Sequence, residues 1–315
     1  MQQWNLSRMR KSVLKTALLL TLAAGAACAH PQPQPAASRQ FLFVTLPETR
    51  SVAIFAAGTS GDAKPLATIQ EKAPDSPVDA SANLRGEVFV GNRNGTINIY
   101  AGRDFDYQLV RSLAGPHTGL VHPTSMAVDP LGSIYVADRG AAPGAAKVIW
   151  LSAATSGNVY PNKVLGGPHT GLTSPTGIAI DAAEGVFIAD HDSGKVLVFD
   201  AAQAGDAPPM VTIDGFKGPR RLFIDQDLNL YVTCDGDSTI AVLAPNGPRR
   251  WTRIATISSA AMRAPEGVAA DNTGRIAAAV HGAVLYFAAG ANGPSTPILE
   301  LQGPVPMNPT GLMIR

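Results

Sequence analysis

Pro175-Thr176-Gly177-Ile178-Ala179-Ile180-Asp181 is the clearest of six degenerate copies of one heptapeptide along the chain. The copies begin at Pro77, Pro123, Pro175, Pro219, Pro265 and Pro309, with spacings of 46, 52, 44, 46 and 44 residues. Self-similarity at a period of this length is typical of a repeat fold. In each full copy the proline is followed by an apolar stretch, a turn and a second β-rich run. The repeat unit is therefore predicted to be a meander of β-strands.

The copy at Pro175 predicts four strands in one unit, namely Gly177–Asp181, Gly185–Asp190, Lys195–Phe199 and Pro209–Ile213. Residues on both faces of these strands are apolar, and many are β-branched or aromatic. This pattern is typical of a sheet that is covered on both sides by its neighbours. Units of this kind curl into a β-propeller, in which each four-stranded sheet is one blade.

The two ends of the repeat region determine the number of blades. Gln40–Thr45 and Ser51–Phe55 match second and third strands, but no first strand precedes them. Thr310–Ile314 matches a first strand with no strand after it. If this last strand completes the first blade, the ring closes with six blades and no open edge. We therefore predict an all-β, six-bladed propeller that forms a single domain over residues 39–315.

The pattern Pro-x-Gly-aliphatic-Ala-aliphatic-Asp, followed by IYVAD at residues 134–138 or VFIAD at residues 186–190, resembles the NHL-repeat propellers. The resemblance covers residues 39–315 and is strongest in the copies at Pro123 and Pro175. It implies the propeller fold of an exported bacterial protein. It does not imply a reaction, because one propeller fold serves enzymes, ligand binders and protein-docking modules alike.

Residues 1–29 have the composition of an export signal. Basic residues precede the apolar stretch Ala17–Ala27, which is short for a membrane span and ends in small residues. Two cleavage patterns fit. Ala27-Cys28-Ala29 would release a chain that starts at His30, whereas Gly25-Ala26-Ala27-Cys28 resembles a bacterial lipobox that would leave a lipidated Cys28. We favour lipidation, because a cysteine directly after the apolar stretch otherwise has no explanation.

The predicted location follows from these segments. Residues 30–38 are rich in Pro, Gln and Ala without apolar periodicity, which is typical of a flexible tether. The protein is thus expected in the cell envelope or periplasm, bound to the membrane only through a lipid anchor, or else secreted. Its formal net charge of +1 gives no electrostatic reason to expect nucleic acid as a partner. The remaining cysteine, Cys234, is predicted to be a buried structural thiol.

Strand direction indicates where a functional site would lie. Because strands of a meander alternate in direction, every first strand begins and every second strand ends on one face of the disc, which we call the mouth face. The histidines after His30 all fall on connections of this face. Convergent charged and imidazole groups at a concave surface are typical of a binding site. The candidate ligand contacts are Arg220, Glu266, His191 and His281, with Arg139, Asp235 and Thr176 as secondary contacts.

Two features of the candidate residues have alternative interpretations. Arg220 and Glu266 lie on adjacent blades, so they either form an ion pair that positions the loops or contact a ligand. Asp129, Asp181, Asp225 and Asp271 end first strands before a turn. We interpret these repeated carboxylates as turn-stabilising acceptors of backbone N–H groups rather than as paired catalytic acids.

The positions after the repeat prolines test two enzyme families with six-bladed propellers. Gluconolactonase-like hydrolases hold a divalent cation there with Glu, Asn and Asp, and peptidylglycine amidating lyases place zinc-binding histidines at similar strand starts. In this chain the six positions are Val78, Thr124, Thr176, Arg220, Glu266 and Thr310. Neither ligand set is present, so we predict no bound metal and no cofactor.

The sequence therefore favours a binding function over catalysis. We expect an exported, membrane-tethered propeller that presents its mouth face to a small ligand or to an envelope protein. The alternative is a propeller hydrolase or lyase, gluconolactonase-like or related, with its site at the same mouth.

Overall fold

The computed structural model describes residues 40–303 and 307–315. The predicted export signal (residues 1–29), its Cys28 and the tether (residues 30–38) lie outside the described residues. Within them, the chain forms six antiparallel sheets of four strands, one of which carries an additional two-residue strand. The predicted all-β propeller of six four-stranded blades is confirmed.

The strands of the first three blades follow each other along the chain. Blade 1 contains β1 (Phe41–Leu46), β2 (Ser51–Ala56) and β3 (Ala67–Gln70). Blade 2 contains β4 (Pro77–Ala82), β5 (Val88–Asn92), β6 (Ile97–Arg103) and β7 (Asp106–Leu113). Blade 3 contains β8 (Pro123–Val128), β9 (Ile134–Asp138), β10 (Lys147–Leu151) and β11 (Lys163–Gly166). Short 3-10 helices, Pro116–Thr118 and Pro168–Thr170, lead into blades 3 and 4.

The second half of the chain repeats this arrangement. Blade 4 contains β12 (Pro175–Ile180), β13 (Gly185–Asp190), β14 (Lys195–Asp200) and β15 (Val211–Ile213). Blade 5 contains β16 (Pro219–Ile224), β17 (Leu230–Cys234), β18 (Thr239–Pro245) and β19 (Trp251–Ser258). Blade 6 contains β20 (Gly267–Ala270), β21 (Ile276–Val280), β22 (Ala283–Phe287) and β24 (Leu299–Leu301), while β23 (Gly293–Pro294) pairs in parallel with β19.

The last strand closes the ring. β25 (Gly311–Ile314) pairs antiparallel with β1, with Leu42 opposite Ile314 and Thr45 opposite Gly311. The innermost strands contact each other in the order β25, β4, β8, β12, β16, β20 and back to β25. The chain terminus therefore supplies the innermost strand of blade 1, as the sequence predicted.

Apolar layers between the blades hold the ring together. One cluster of buried side chains lies between each pair of neighbouring blades, which gives six clusters among the described residues. Between blades 4 and 5, for example, Phe187 and Val198 pack with Leu222 and Val232. Cys234 belongs to the same layer and is a buried thiol with no disulfide partner within residues 40–303 and 307–315. Its burial raises the pKa of the thiol to about 11, which suits a structural role.

Four first strands begin at the repeat proline itself, whereas the template strand was predicted to begin at Gly177. In blades 2 to 5 a β-bulge follows this proline, as between Pro175 and Gly177. The bulge leaves the residue after the proline outside the ladder, facing the mouth. Gly177 is required here, because a Cβ at this position would lie 2.3 Å from the carbonyl oxygen of Arg220.

The repeated carboxylates stabilise turns, as predicted. Oδ1 of Asp129, for instance, accepts the backbone N–H groups of Leu131 and Ser133 at 2.9 and 2.8 Å. The same two-residue and four-residue spacing of donors occurs at the other repeats, Asp181, Asp225 and Asp271. Asn83 takes this role in blade 2, where the repeat is weakest.

Candidate functional site

A cavity of about 480 Å³ opens at the centre of the mouth face. All six residues that follow the repeat prolines line it: Val78, Thr124, Thr176, Arg220, Glu266 and Thr310. The remaining lining residues follow second strands, belong to first strands or connect the blades: Arg93, Arg139 and Gly140 after second strands, Pro123 and Arg221 in first strands, and His122 in a connection. We call this space the mouth cavity. Its volume is that of a small-molecule pocket.

Threonine hydroxyls fasten the blades around the mouth cavity. Thr124 Oγ1 donates to the carbonyl oxygen of Pro175 on the next blade at 2.8 Å, and Thr176 Oγ1 donates to that of Pro219 at the same distance. Thr176 is only 3% exposed. This predicted secondary contact thus lies at the cavity wall, but its hydroxyl proton is already used between blades 4 and 5.

An outer ring of side chains surrounds these first-strand starts. The residue just after the second strand donates its backbone N–H to the residue before the repeat proline in blades 2 to 5. The donors are Arg93, Arg139, His191 and Asp235, and the acceptors are Ser76, His122, Ser174 and Gly218, at 2.8 to 3.0 Å. These four side chains therefore start from equivalent, hydrogen-bonded backbone positions on consecutive blades.

A chain of polar contacts and ion pairs joins four of the predicted residues, His191, Asp235, Arg220 and Glu266. His191 Nε2 lies 3.2 Å from Asp235 Oδ1, and its Nδ1 lies 2.8 Å from Asp192 Oδ1. Arg220 Nε lies 3.0 Å from Asp235 Oδ2, outside hydrogen-bond geometry, while Arg220 Nη2 donates to Glu266 Oε1 at 2.5 Å. Two carboxylates thus compensate the charge of Arg220. Of the two interpretations of Arg220 and Glu266, the structure contains the ion pair.

Arg93 and Arg139 differ from Arg220 in this respect. Both side chains line the mouth cavity and both residues are exposed. Neither guanidinium has a hydrogen-bond or ion-pair partner within residues 40–303 and 307–315. His122, which also lines the cavity, is held by a 2.8 Å contact from its Nδ1 to the carbonyl oxygen of Gly140. The mouth cavity is therefore asymmetric, with uncompensated positive charge on blades 2 and 3 and paired charges on blades 4 to 6.

Arg221 forms the floor of the mouth cavity. Its guanidinium donates to the carbonyl oxygens of Val78 and Thr124 at 2.8 and 2.7 Å, of Thr310 at 3.2 Å and of Thr176. One side chain from blade 5 thereby contacts the innermost strands, or their first residues, in blades 1 to 4. No repeat pattern in the sequence distinguishes Arg221 from its neighbours.

A second cavity of about 410 Å³ lies below this floor, and Arg221 lines both. The innermost strands of all six blades surround the lower cavity. Its buried acid, Asp79, accepts hydrogen bonds from Ser125 Oγ at 2.6 Å and from the Met126 N–H at 3.1 Å. Asp79 Oδ2 also lies 4.0 Å from Arg221 Nε. Asp79 therefore links the innermost strands of blades 2 and 3 in the wall of the lower cavity, and it does not line the mouth cavity.

The seven predicted site residues fall into three groups. Arg220, Glu266, Arg139 and Thr176 line the mouth cavity. His191 and Asp235 lie beside it and are joined to Arg220 through Asp235.

His281 alone is the third group, because it does not line the cavity and is not joined to Arg220. It is exposed at a tight turn between β21 and β22, and the adjacent Gly282 N–H donates to the Met307 carbonyl at 2.7 Å. This long-range hydrogen bond places the turn beside the segment that leads into β25, outside the cavity lining.

The described residues show no feature that would indicate a metal centre or a membrane span. No group of three or more His, Cys, Asp or Glu side chains within residues 40–303 and 307–315 is arranged to hold a metal ion. In the same part of the chain, no helix is long and apolar enough to cross a membrane.

Comparisons with known proteins support the fold. No family model and no curated protein sequence matches this chain. Among solved structures, a periplasmic gluconolactonase from Pseudomonas aeruginosa aligns with a TM-score of 0.65 at 15% identity, over 88% of this chain and 99% of that one. A provisionally assigned 6-phosphogluconolactonase from Bacteroides fragilis aligns with a TM-score of 0.62 at 13% identity, over 90% and 100% of the two chains.

A third structure, a protein of unknown function from Bacteroides caccae, aligns with a TM-score of 0.60 at 11% identity, over 88% of this chain and 99% of that one. Identities this low carry information about architecture and none about chemistry. What the likeness shows for this chain is its β-propeller fold.

Proposed function

We propose that this propeller is a binding module whose ligand occupies the mouth cavity. The observation that carries the proposal is a pair of guanidinium groups, those of Arg93 and Arg139, in the wall of a concave space of about 480 Å³. Neither has a hydrogen-bond or ion-pair partner in the part of the chain that the structure describes. Charged groups with no protein partner are poorly explained by stability alone, since exposed charges contribute little to folding. They are well explained as contacts for a ligand.

The framework around the cavity suits recognition of one ligand shape. Each blade contributes a first-strand start, and the Thr124 and Thr176 hydroxyls fasten neighbouring blades at that level. These bonds fix the backbone around the cavity before a ligand binds, whereas the exposed side chains of Arg93 and Arg139 are ordered only on binding. The backbone frame of the cavity is therefore preformed.

The proposal includes export and a membrane tether. It rests on the residue order of the first 29 positions and on Cys28, all outside the described residues. A lipid anchor at Cys28 would keep the propeller at the membrane surface, where its mouth face would meet either a small envelope ligand or an envelope protein. The closed floor and the modest volume of the cavity favour the small ligand.

A lactone hydrolase is the second candidate. The names of two structural neighbours favour it, because one is a gluconolactonase and another is provisionally assigned as a 6-phosphogluconolactonase. The residues of the mouth do not supply the cation ligands expected of a gluconolactonase-like site. The only carboxylate in the cavity lining, Glu266, is ion-paired with Arg220. Binding without catalysis therefore fits this mouth better.

The experiment is a binding screen with a mouth-blocking variant. Purified protein is screened by ligand-observed NMR against neutral and charged sugars, amino acids and organic acids. Arg139→Trp places a large side chain in the cavity without breaking a protein contact, and Arg103→Trp is the matched control at an exposed position of blade 2 outside the cavity lining.

We expect at least one compound to bind the wild-type protein and the control but not Arg139→Trp. Equal binding to both variants would place the ligand elsewhere, and the absence of any binder would reject the proposal. Turnover of δ-gluconolactone by the wild-type protein, lost in Arg139→Trp, would instead favour the hydrolase.

A further inference from the structure

We infer that the mouth cavity selects a small organic anion, one that carries a carboxylate or a phosphate, through the forked guanidinium groups of Arg93 and Arg139. This inference rests on the proposed function and specifies the chemistry of the ligand.

Positive charge is concentrated at the mouth cavity. Four arginines line it, Arg93, Arg139, Arg220 and Arg221, against a single carboxylate, that of Glu266. The whole chain carries a formal net charge of only +1. A concave surface with low-dielectric walls focuses such charge and raises the local concentration of anions.

The four arginines differ in how much of their charge is compensated. Arg220 is held between Asp235 and Glu266, and Arg221 donates to four backbone carbonyl oxygens above Asp79. Arg93 and Arg139 have no such partners among the described residues. The cavity therefore leaves two complete guanidinium forks for a ligand.

The chemistry of these forks defines the ligand class. A guanidinium offers five N–H donors in a planar arrangement and no acceptor. Its geometry matches a carboxylate or a phosphate, which it binds with two parallel hydrogen bonds. A neutral sugar can accept hydrogen bonds from a guanidinium group, but without the added attraction of a negative charge. A cation would be repelled by the guanidinium charge.

The two arginines converge by symmetry of the fold. Each directly follows the second strand of its blade, and blades 2 and 3 are neighbours. Each backbone N–H is fixed to the residue before the repeat proline, Ser76 for Arg93 and His122 for Arg139. Two equivalent donors on adjacent blades thus face one cavity, an arrangement suited to one anionic group or to two on the same molecule.

Arg221 makes the cavity a dead end. Its contacts to the innermost strands close the channel between the mouth cavity and the lower cavity. A ligand held by Arg93 and Arg139 is thus retained at the mouth and does not pass through the disc. The charge of Arg221 lies beneath that ligand and adds to the attraction of an anion.

The experiment compares anions with neutral molecules of similar size. Binding of citrate, gluconate and inorganic phosphate is measured by isothermal titration calorimetry at constant ionic strength, beside glucose and δ-gluconolactone. The variants are Arg93→Gln, Arg139→Gln and the double substitution. Arg103→Gln is the control, with the same loss of charge on blade 2 outside the cavity lining. Melting temperatures verify that all variants are folded.

We expect at least one anion to bind and each neutral molecule to bind about tenfold more weakly or not at all. Arg93→Gln and Arg139→Gln should each weaken anion binding about tenfold, because each removes a charge-assisted fork. The Kd of the Arg103→Gln control should stay within about twofold of the wild-type Kd. Added NaCl should weaken anion binding, because salt screens the charges. If citrate or gluconate binds and phosphate does not, the anionic group is a carboxylate. If only phosphate binds, the group is a phosphate.

Three results would overturn the inference. No saturable binding of any of the three anions up to about 10 mM would reject anion recognition. If Arg103→Gln weakened anion binding as much as the mouth variants do, the binding would reflect the overall charge of the protein and not the mouth cavity. Neutral compounds that bind at the mouth, are blocked by Arg139→Trp and are indifferent to Arg→Gln would reject the anion class while the proposed binding function stands.

Discussion

The Arg221 guanidinium of blade 5 donates a hydrogen bond of 2.8 Å to the carbonyl oxygen of Val78 in blade 2. The two residues lie 143 positions apart in the chain and face each other across the central channel. The same side chain also bonds to blades 1, 3 and 4. Arg221 therefore contributes to ring stability as well as closing the channel.

Replacing Arg221 is expected to destabilise the protein. Arg221→Ala removes several charge-assisted hydrogen bonds and leaves buried carbonyl oxygens without donors, which should lower the free energy of unfolding by about 3 kcal/mol. Arg221→Lys should recover less than half of this, because an ammonium group cannot reach four blades at once. Urea denaturation checks both values. Arg103→Ala serves as the control, and a loss no larger than that of this control would contradict the role assigned to Arg221.

The architecture of this protein is predictable from sequence because the repeat carries it. A proline at the start of each innermost strand, an aspartate at its end and apolar strands on both faces recur at a regular period, so six blades follow from local signals. The ion pair between Arg220 and Glu266 is predictable in the same way, since equivalent positions of adjacent blades must meet.

The floor of the cavity is not predictable from these signals. In blade 5 the bulge spans Pro219 to Leu222, one residue more than the bulge from Pro175 to Gly177. Side chains of a strand alternate in direction, so one extra residue decides which of two consecutive arginines faces the axis. The Arg221 N–H bonds to Thr233 Oγ1 at this bulge, a contact that no repeat pattern encodes. The position of His281 outside the cavity lining is not predictable for a similar reason, because a long-range bond from Gly282 to Met307 fixes its turn.

Deleting Thr310–Arg315 is expected to open the ring. The truncation removes β25, which pairs with four residues of β1 and contacts β4 and β20. β1 would then present unpaired N–H and C=O groups to the channel. We expect the melting temperature to fall by about 10 °C or more, together with association on size-exclusion chromatography. Arg315→Ala keeps the strand and is the control, and a monomeric truncated protein of equal stability would contradict ring closure by β25.

The Arg220–Glu266 pair should show measurable coupling. Both side chains are about one third exposed, at 31% and 30%, so water screens the pair in part. A double-mutant cycle with Arg220→Ala and Glu266→Ala should give a coupling energy of about 1 kcal/mol that decreases with added salt. The more exposed Lys195–Asp214 pair, 3.8 Å apart, should couple near zero. Equal coupling energies in the two pairs would contradict the prediction that the Arg220–Glu266 pair interacts more strongly than an ordinary surface ion pair.

Cys28→Ser is expected to release the protein from the membrane. A lipidated cysteine inserts acyl chains into the bilayer, and two or more chains hold a protein stably, whereas a serine at this position cannot be acylated through sulfur. We expect the substitution to shift the protein from the membrane fraction to the soluble exported fraction, which fractionation of the producing cells would detect. Cys234→Ser leaves the signal unchanged and is the control. An unchanged distribution of Cys28→Ser would favour the cleavage site after Ala29.

The buried carboxylate of Glu71 predicts a pH-dependent stability. Glu71 is 2% exposed, and its Oε1 lacks a hydrogen-bond partner among the described residues. Burial raises its pKa above the ordinary value of 4.5 and nearby Asp75 adds to the rise, while Asn98, Tyr100 and Asn92 oppose it. The folded state therefore binds this proton more tightly than the unfolded chain. Below pH 4.5 Glu71 is protonated in both the folded and the unfolded protein, and its burial costs no charge desolvation. As the pH rises from 4.5 through the raised pKa of the folded state, the free energy of unfolding decreases.

Glu71→Gln should therefore stabilise the protein where the native carboxylate is ionised. The amide removes the cost of burying a charge, and its oxygen can still accept the hydrogen bond that Asn98 Nδ2 donates to Glu71 Oε2 at 2.6 Å. We expect the gain in melting temperature to be largest near about pH 8 and to vanish near about pH 4. Glu184→Gln, at an exposed position, is the control and should change little at either pH. A gain from Glu71→Gln that is equal at both pH values, or a loss at about pH 8, would mean that burial does not penalise the Glu71 carboxylate.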